Sequence, residues 1–170
     1  MIINKSKLKL IPNSKDQTCF GCGVSNNNGL RMEFFTDSEQ LYSFLKIPVS
    51  MAGWDRTVHG GIVSTVLDEI MGWGVIYLYK KLGVTKKMTV EFIKPVFADD
   101  EITVVGNLEE KKSGKSIIMS SQIYNSDSFL CATASAEFKA LDPKIALRLG
   151  LVSDEYMRMF DPILNFNYED

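Results

Sequence analysis

Cysteine is scarce in this sequence. Three in 170 residues is an odd number and too few for a disulfide framework, so a reducing cytosol is the expected compartment. Histidine occurs once, at His59. No charge sign dominates: 19 Lys plus Arg stand against 21 Asp plus Glu, for a net charge of −2. That balance excludes the basic surplus of a nucleic-acid binder and a strongly acidic disordered tail. Residues 1–15 scatter Lys5, Lys7, Lys9 and Lys15 among short apolar pairs and lack the continuous apolar core of a signal peptide. No internal repeat or low-complexity segment stands out. What is present is ordinary for a packed soluble domain: 45 % hydrophobic and 24 % charged residues. The length argues for one domain that needs no staples to hold its core.

Three segments divide the chain: a poorly anchored lead-in at 1–18, a main domain at 19–139 and a C-terminal helical extension at 140–170. Residues 19–29 are rich in Gly, Asn and Cys and read as a loop. Strands are expected at Leu30–Phe35 and Leu41–Ile47, and residues 48–58 read as irregular. From Gly60 to Lys81 the chain is apolar nearly all round. Such a helix is either buried or a membrane span. Asp68 and Glu69 in its middle would be expensive in a bilayer, so a buried core helix and no membrane partner are expected.

Beyond the helix the period changes to two. Strands are expected at Thr85–Lys94, Glu101–Leu108, Ser116–Tyr124 and Leu130–Phe138, with turns at 111–115 and 125–128. Ile102, Val104 and Leu108 alternate with Thr103, Val105 and Asn107. In the last strand Leu130, Ala132, Ala134, Ala136 and Phe138 form one face, opposite Cys131, Thr133, Ser135 and Glu137. The small alanines leave room for the long helix. Asp142-Pro143 caps and opens a further helix, Gly150 stops it, and a last short helix starts at Ser153. The expected fold is α+β, a curved antiparallel sheet wrapped around one long central helix, which is the hotdog architecture.

The chemistry concentrates in Trp54–Trp73. His59 precedes Gly60 and Gly61 at the start of the helix, where missing side chains allow close approach. Free N–H groups at a helix N-terminus suit a developing oxyanion. Asp68 lies nine positions beyond His59. That is half a turn out of phase and about 13.5 Å along the axis. Asp68 therefore cannot easily serve its own helix start, and a shared site implies two subunits with antiparallel helices. A carboxylate in an apolar helix is costly unless paired or functional. Glu69 is its rival. It points about 100° away, so only one of the two should face a given cleft. The plainer alternative is that His59 caps the helix and Asp68 is a satisfied buried acid.

His59-Gly60-Gly61 with Asp68, the segment Val84-Thr85-Lys86-Lys87-Met88-Thr89-Val90-Glu91-Phe92-Ile93-Lys94-Pro95-Val96, and Cys19-Phe20-Gly21-Cys22-Gly23 with Asn28-Gly29-Leu30 together resemble PaaI-type hotdog acyl-CoA thioesterases over residues 19–138. The resemblance implies hydrolysis of an acyl-CoA to a free acid and CoA, without a cofactor. It implies Asp68 as general base or nucleophile, the Gly60 N–H as donor to the thioester carbonyl, His59 as the residue shaping the helix start, and Thr85 as a hydroxyl near the attacking water. Some relatives place an Asn six residues before the His; Gly53 stands there in this chain. Gly61, Gly53, Trp73 and Glu69 are the positions expected around the substrate.

Trp54, Trp73, Tyr77 and Phe92, with adaptable Met71 and Met88, either line an acyl pocket or belong to the core. Lys86, Lys87, Lys94, Lys111, Lys112 and Lys115 either meet CoA phosphates or are simply solvated. Cys19 and Cys22 form a lone C-x-x-C. Structural zinc usually takes four ligands and only His59 and Cys131 remain, so loop shaping and no metal are expected. Uncovered sheet edges are a liability, so a homodimer or tetramer is expected. Two rival functions remain: a hydratase or dehydratase using Asp55 and His59, and a non-catalytic acyl-CoA-binding module. Nothing in residues 1–29 reads as a helix-turn-helix.

Overall fold

The computed structural model describes residues 3, 5–111 and 116–169. Its strands are β1 (Lys9–Ile11), β2 (Phe34–Thr36), β3 (Leu41–Lys46), β4 (Ala52–Trp54), β5 (Thr57–Val58), β6 (Leu82–Phe92), β7 (Glu101–Lys111), β8 (Ser116–Asn125) and β9 (Leu130–Leu141). Seven of them form one antiparallel sheet in the order β1-β2-β3-β7-β8-β9-β6. It wraps one long helix, α1 (Gly60–Tyr79), which packs on β3 and β6 to β9. Strands β4 and β5 pair separately. The expected α+β architecture is therefore the observed one.

The core follows from the composition of α1. Val66, Leu67, Ile70, Met71 and Val75 are fully buried. By length and mean hydropathy (1.3) α1 could cross a membrane, but here the sheet takes up its apolar faces. Close approach depends on small residues opposite. A Cβ on Gly106 would stand 3.1 Å from the Ile70 side chain, and Ala132, Ala134 and Ala136 of β9 face inward. The Ser121 hydroxyl donates to the Leu67 carbonyl at 3.1 Å and ties the sheet to the helix backbone. α1 ends at Lys80, in the left-handed region at φ 52°. The Lys80 Nζ donates to the carbonyls of Ile163 (3.3 Å) and Phe166 (2.6 Å), at the end of a C-terminal helix.

Several expectations need correction. The lead-in is anchored: Lys9–Ile11 pairs with β2 and Ile11 is buried, because three residues suffice to add an edge strand where a sheet offers free backbone groups. Residues 48–58 contain the β4–β5 hairpin. The strand expected at Leu30–Phe35 shrinks to Phe34–Thr36. Leu108 is exposed, although it keeps its register opposite the buried Met119. Cys131 is buried with its inward neighbour Ala132. The chain departs from simple pairing there, the Cys131 carbonyl accepting from both Ile93 and Lys94 N–H. Of the turn at 111–115, residues 112–115 lie outside the described residues. The tail follows its caps. α2 (Pro143–Arg148) opens on the Asp142 side chain, Gly150 adopts φ +66°, and α3 (Asp154–Arg158) opens on the Ser153 side chain. α4 (Asp161–Asn165) then packs on α1.

Candidate active site

The start of α1 is built by His59. Its Nδ1 accepts the Gly61 N–H at 2.9 Å, and its carbonyl accepts the N–H groups of Ile62 (2.9 Å) and Val63 (3.1 Å). The Gly60 N–H is left without an acceptor among the described residues. It is the free donor at the positive end of the helix dipole. The Phe92 ring covers Gly60, where a Cβ would stand 3.5 Å from the ring. Gly53 packs against His59, and a Cβ there would come within 3.3 Å of the imidazole and of the His59 Cα. Two cavities flank this helix start. One, of about 280 Å³, is walled by Gly60, Phe92, Val96 and Ala132. The other, of about 500 Å³, is bordered by His59, Asn27, Asn28 and Met51.

His59 is therefore a cap by geometry. His59→Ala should lower stability by about 1 kcal/mol, whereas His59→Asn, which keeps an acceptor, should lose only a fraction of that. Urea unfolding of the three proteins checks this. Equal losses in both variants would show that the cap contributes nothing.

Farther along α1, the Thr85 hydroxyl donates to Asp68 Oδ1 at 2.8 Å. Thr85 sits at a register shift of β6, between Thr85 and Lys87. Such irregularities often re-aim a side chain beside a site. Burial pushes the Asp68 carboxyl above its ordinary range, and the Thr85 hydrogen bond opposes the shift. Asp68 and Thr85 border a cavity of about 170 Å³. Neither belongs to the two cavities at the helix start. The separation expected from helical phase is thus observed within one chain.

Glu69 lines the same cavity as Asp68, which corrects the expectation that only one of them faces a given cleft. The cavity spans the flank of the helix. β6 closes it on the Asp68 side, and the loop carrying Cys19 and Cys22 closes it over Glu69. Burial and the neighbouring Cys19 push Glu69 up to about 8. Cys19 Sγ lies 3.3 Å from Glu69 Oε1 in a hydrogen bond. The neighbouring Cys22 thiol pulls the Cys19 thiol below its ordinary range, against the effect of burial; the same thiol contact, with burial, pushes Cys22 up. Gln17 and Tyr156 also line this cavity, and neither stood out in the sequence. The local signal was Gly21: a Cβ there would fall 2.2 Å from Glu69 Cγ.

Trp73 borders the cavity but is mainly core, stacked on Phe34 with ring centroids 4.4 Å apart. Tyr77 and Met71 are buried, whereas Trp54 is 86 % exposed on the β4–β5 hairpin. Of the lysines, Lys86 pairs with Glu137 at 3.0 Å and Lys94 lies over the Phe129 ring. Lys112 and Lys115 lie outside the described residues.

Residues 56–132 match the family model of the thioesterase superfamily. The chain has that superfamily's hotdog fold. Solved structures with this fold include the PaaI protein of E. coli (TM-score 0.61, 16 % identity, covering 66 % of this chain and 81 % of that one). A hypothetical thioesterase from Streptococcus pneumoniae TIGR4, solved with coenzyme A, is also similar (TM-score 0.57, 24 % identity, 60 % and 81 % covered). Among curated proteins the chain is similar to MIOREX complex component 3 of Saccharomyces cerevisiae, at 37 % identity over 65 residues, 38 % of this chain and 24 % of that one. A protein of Candida albicans named only as uncharacterized and mitochondrial is 30 % identical over 80 residues, 46 % and 36 % covered. The match thus spans about a quarter to a third of those curated relatives' lengths.

Proposed function

We propose that this protein hydrolyses acyl-CoA thioesters to the free acid and CoA. The observation that carries the reading is the half-buried Asp68 carboxylate, set in a largely apolar helix, held by the Thr85 hydroxyl and opening on a cavity. The thioesterase family match and the coenzyme A-bound structure of the pneumococcal protein support the substrate class. Ionised Asp68 draws a proton from water, the water oxygen attacks the thioester carbonyl, and the C–S bond breaks. The departing CoA thiolate then recovers the proton. A thioester is electrophilic enough that a placed base and one oxyanion donor are adequate.

That donor is the Gly60 N–H. It cannot reach Asp68 of its own chain, about 12 Å along the axis, so two copies pair with their helices antiparallel. The exposed edge strand β6 and the apolar surface of Val84 and Phe92 support this pairing, which would leave no free edge on that side. A hydratase reading has less support: His59 Nδ1 is occupied by Gly61 N–H, and no carboxylate pairs with His59 among the described residues.

The test is a panel of acyl-CoAs, short to long plus phenylacetyl, with CoA release followed by chromatography, because a thiol reagent would also react with Cys19. Turnover of at least one class is expected. Acyl-CoA binding without turnover would replace hydrolysis by a binding function.

The pH profile offers a further check. kcat/KM should rise with pH as Asp68 ionises. Thr85→Val removes the hydrogen bond that favours the anion, so the acid limb should move to higher pH. An unmoved limb would show that Asp68 is not the titrating base.

A further inference from the structure

We propose that Cys19, Cys22 and Glu69 bind a thiophilic divalent cation, zinc in the first instance, through two sulfurs and one carboxylate oxygen, with a fourth position open to the cavity that Asp68 and Thr85 line. The ligand atoms of these three residues all lie within 4.8 Å of one another, with Cys19 Sγ and Glu69 Oε1 at 3.3 Å. Tetrahedral zinc, with bonds of about 2.3 Å to sulfur and 2.0–2.2 Å to oxygen, holds two sulfurs roughly 3.8 Å apart and a sulfur and an oxygen roughly 3.6 Å apart. Small side-chain adjustments bring the three groups to that geometry.

The surroundings are built for it. The Cys-x-x-Cys segment is a closed turn, with the Gly23 N–H donating to the Cys19 carbonyl at 2.9 Å. Neither glycine of the turn has room for a side chain: a Cβ on Gly21 would overlap Glu69, and one on Gly23 would lie 2.4 Å from the Cys19 carbonyl oxygen. The turn is pinned from outside by Gln17. Its Oε1 accepts the N–H groups of Thr18 (3.0 Å) and Cys19 (3.3 Å) and the Tyr156 hydroxyl (3.0 Å). Such outer partners orient ligands and tune a metal site.

Charge points the same way. Two thiols and the carboxylates of Glu69 and Asp68 share one cavity wall, and no Lys, Arg or His lines that cavity. A divalent cation would bridge these donors and clamp the turn to α1. Two ligands of a lone C-x-x-C are too few for a metal; the third comes from α1, fifty residues away in sequence. This inference stands apart from the hydrolysis reading because its readout is metal, not turnover.

The experiment uses the full chain, reduced with a phosphine, stripped by a chelator and titrated with cobalt(II). About one equivalent of cobalt should bind as a tetrahedral site, with thiolate-to-cobalt charge-transfer absorption that zinc abolishes. Cys19→Ser with Cys22→Ser should lose the band, and Cys131→Ser should keep it. Glu69→Gln should keep thiolate absorption but weaken zinc binding about ten-fold or more, since even outer-shell losses cost 10–100-fold. Zinc should also raise the melting temperature of the wild type, as a ligand of the folded state does. Should the double variant not fold, the wild-type spectrum and Glu69→Gln decide. Binding below about a tenth of an equivalent by the folded wild type, or a band that survives the double substitution, would overturn the proposal.

Discussion

Asp68→Asn should lower kcat for acyl-CoA hydrolysis by at least about 10²-fold, the lower end of what a positioned general base contributes. The substitution is nearly isosteric, and its amide oxygen can still accept the Thr85 hydroxyl that holds Asp68 at 2.8 Å. What disappears is the capacity to take a proton. Loss of folding is not the expected cause. Burial raises the Asp68 pKa above its ordinary 3.8, so the ionised carboxylate is a cost to the folded state. The stability linked to this group is fully present below about pH 3.8 and is lost as pH rises through the raised value. At neutral pH, Asp68→Asn should therefore melt no lower than wild type. Parallel kinetics and melts with the preferred substrate of the panel check both halves. Equal rates in the two proteins would remove Asp68 from the chemistry. A slow variant with a collapsed melt would assign it a structural role instead.

Phe138→Ala should produce the largest loss of stability, about 3–5 kcal/mol. Phe138 is fully buried in β9. Its ring packs against Gly83 at the start of β6, where a Cβ would lie only 3.2 Å away, and below Gly72 of α1. It also forms part of the wall of the Asp68 cavity. Removing it opens a void that joins the core to that cavity, and the glycines on both sides have no side chains with which to fill it. For a domain of this size each kcal/mol moves the midpoint by about 2–4 °C, so a fall of roughly 10 °C is expected in calorimetry. Phe138→Leu should lose much less, because it retains most of the volume. A loss below about 1 kcal/mol for the alanine variant would show that the site collapses on itself and that the ring is not holding β6, β9 and α1 together.

The elements that could be read early share a property: their signal is repeated many times along the chain. α1 carries an apolar residue at almost every turn-facing position, and β9 alternates over nine residues. Both stand where periodicity put them. Caps were legible for the same reason of locality, since Asp142 and Ser153 bond N–H groups two and three residues on. Illegible features depended on a neighbour distant in sequence. β1 exists because β2 offers it an edge. Asp68 and Glu69 share a cavity because separate segments, β6 and the Cys19–Cys22 turn, close over adjacent sides of one helix.

The division for this protein is therefore physical. Local sequence patterning accounts for the buried helix, the meander that covers it, the glycine-lined helix start at His59-Gly60-Gly61, and the half-turn phase that keeps Asp68 away from it. All of these follow from local periodicity and backbone stereochemistry. Long-range docking sets the rest: Thr85 orients Asp68, and Glu69 completes a cluster with Cys19 and Cys22. Those contacts arise when strand register and loop docking bring residues 17 and 50 positions apart within hydrogen-bonding distance, and no pattern along a single segment encodes that distance.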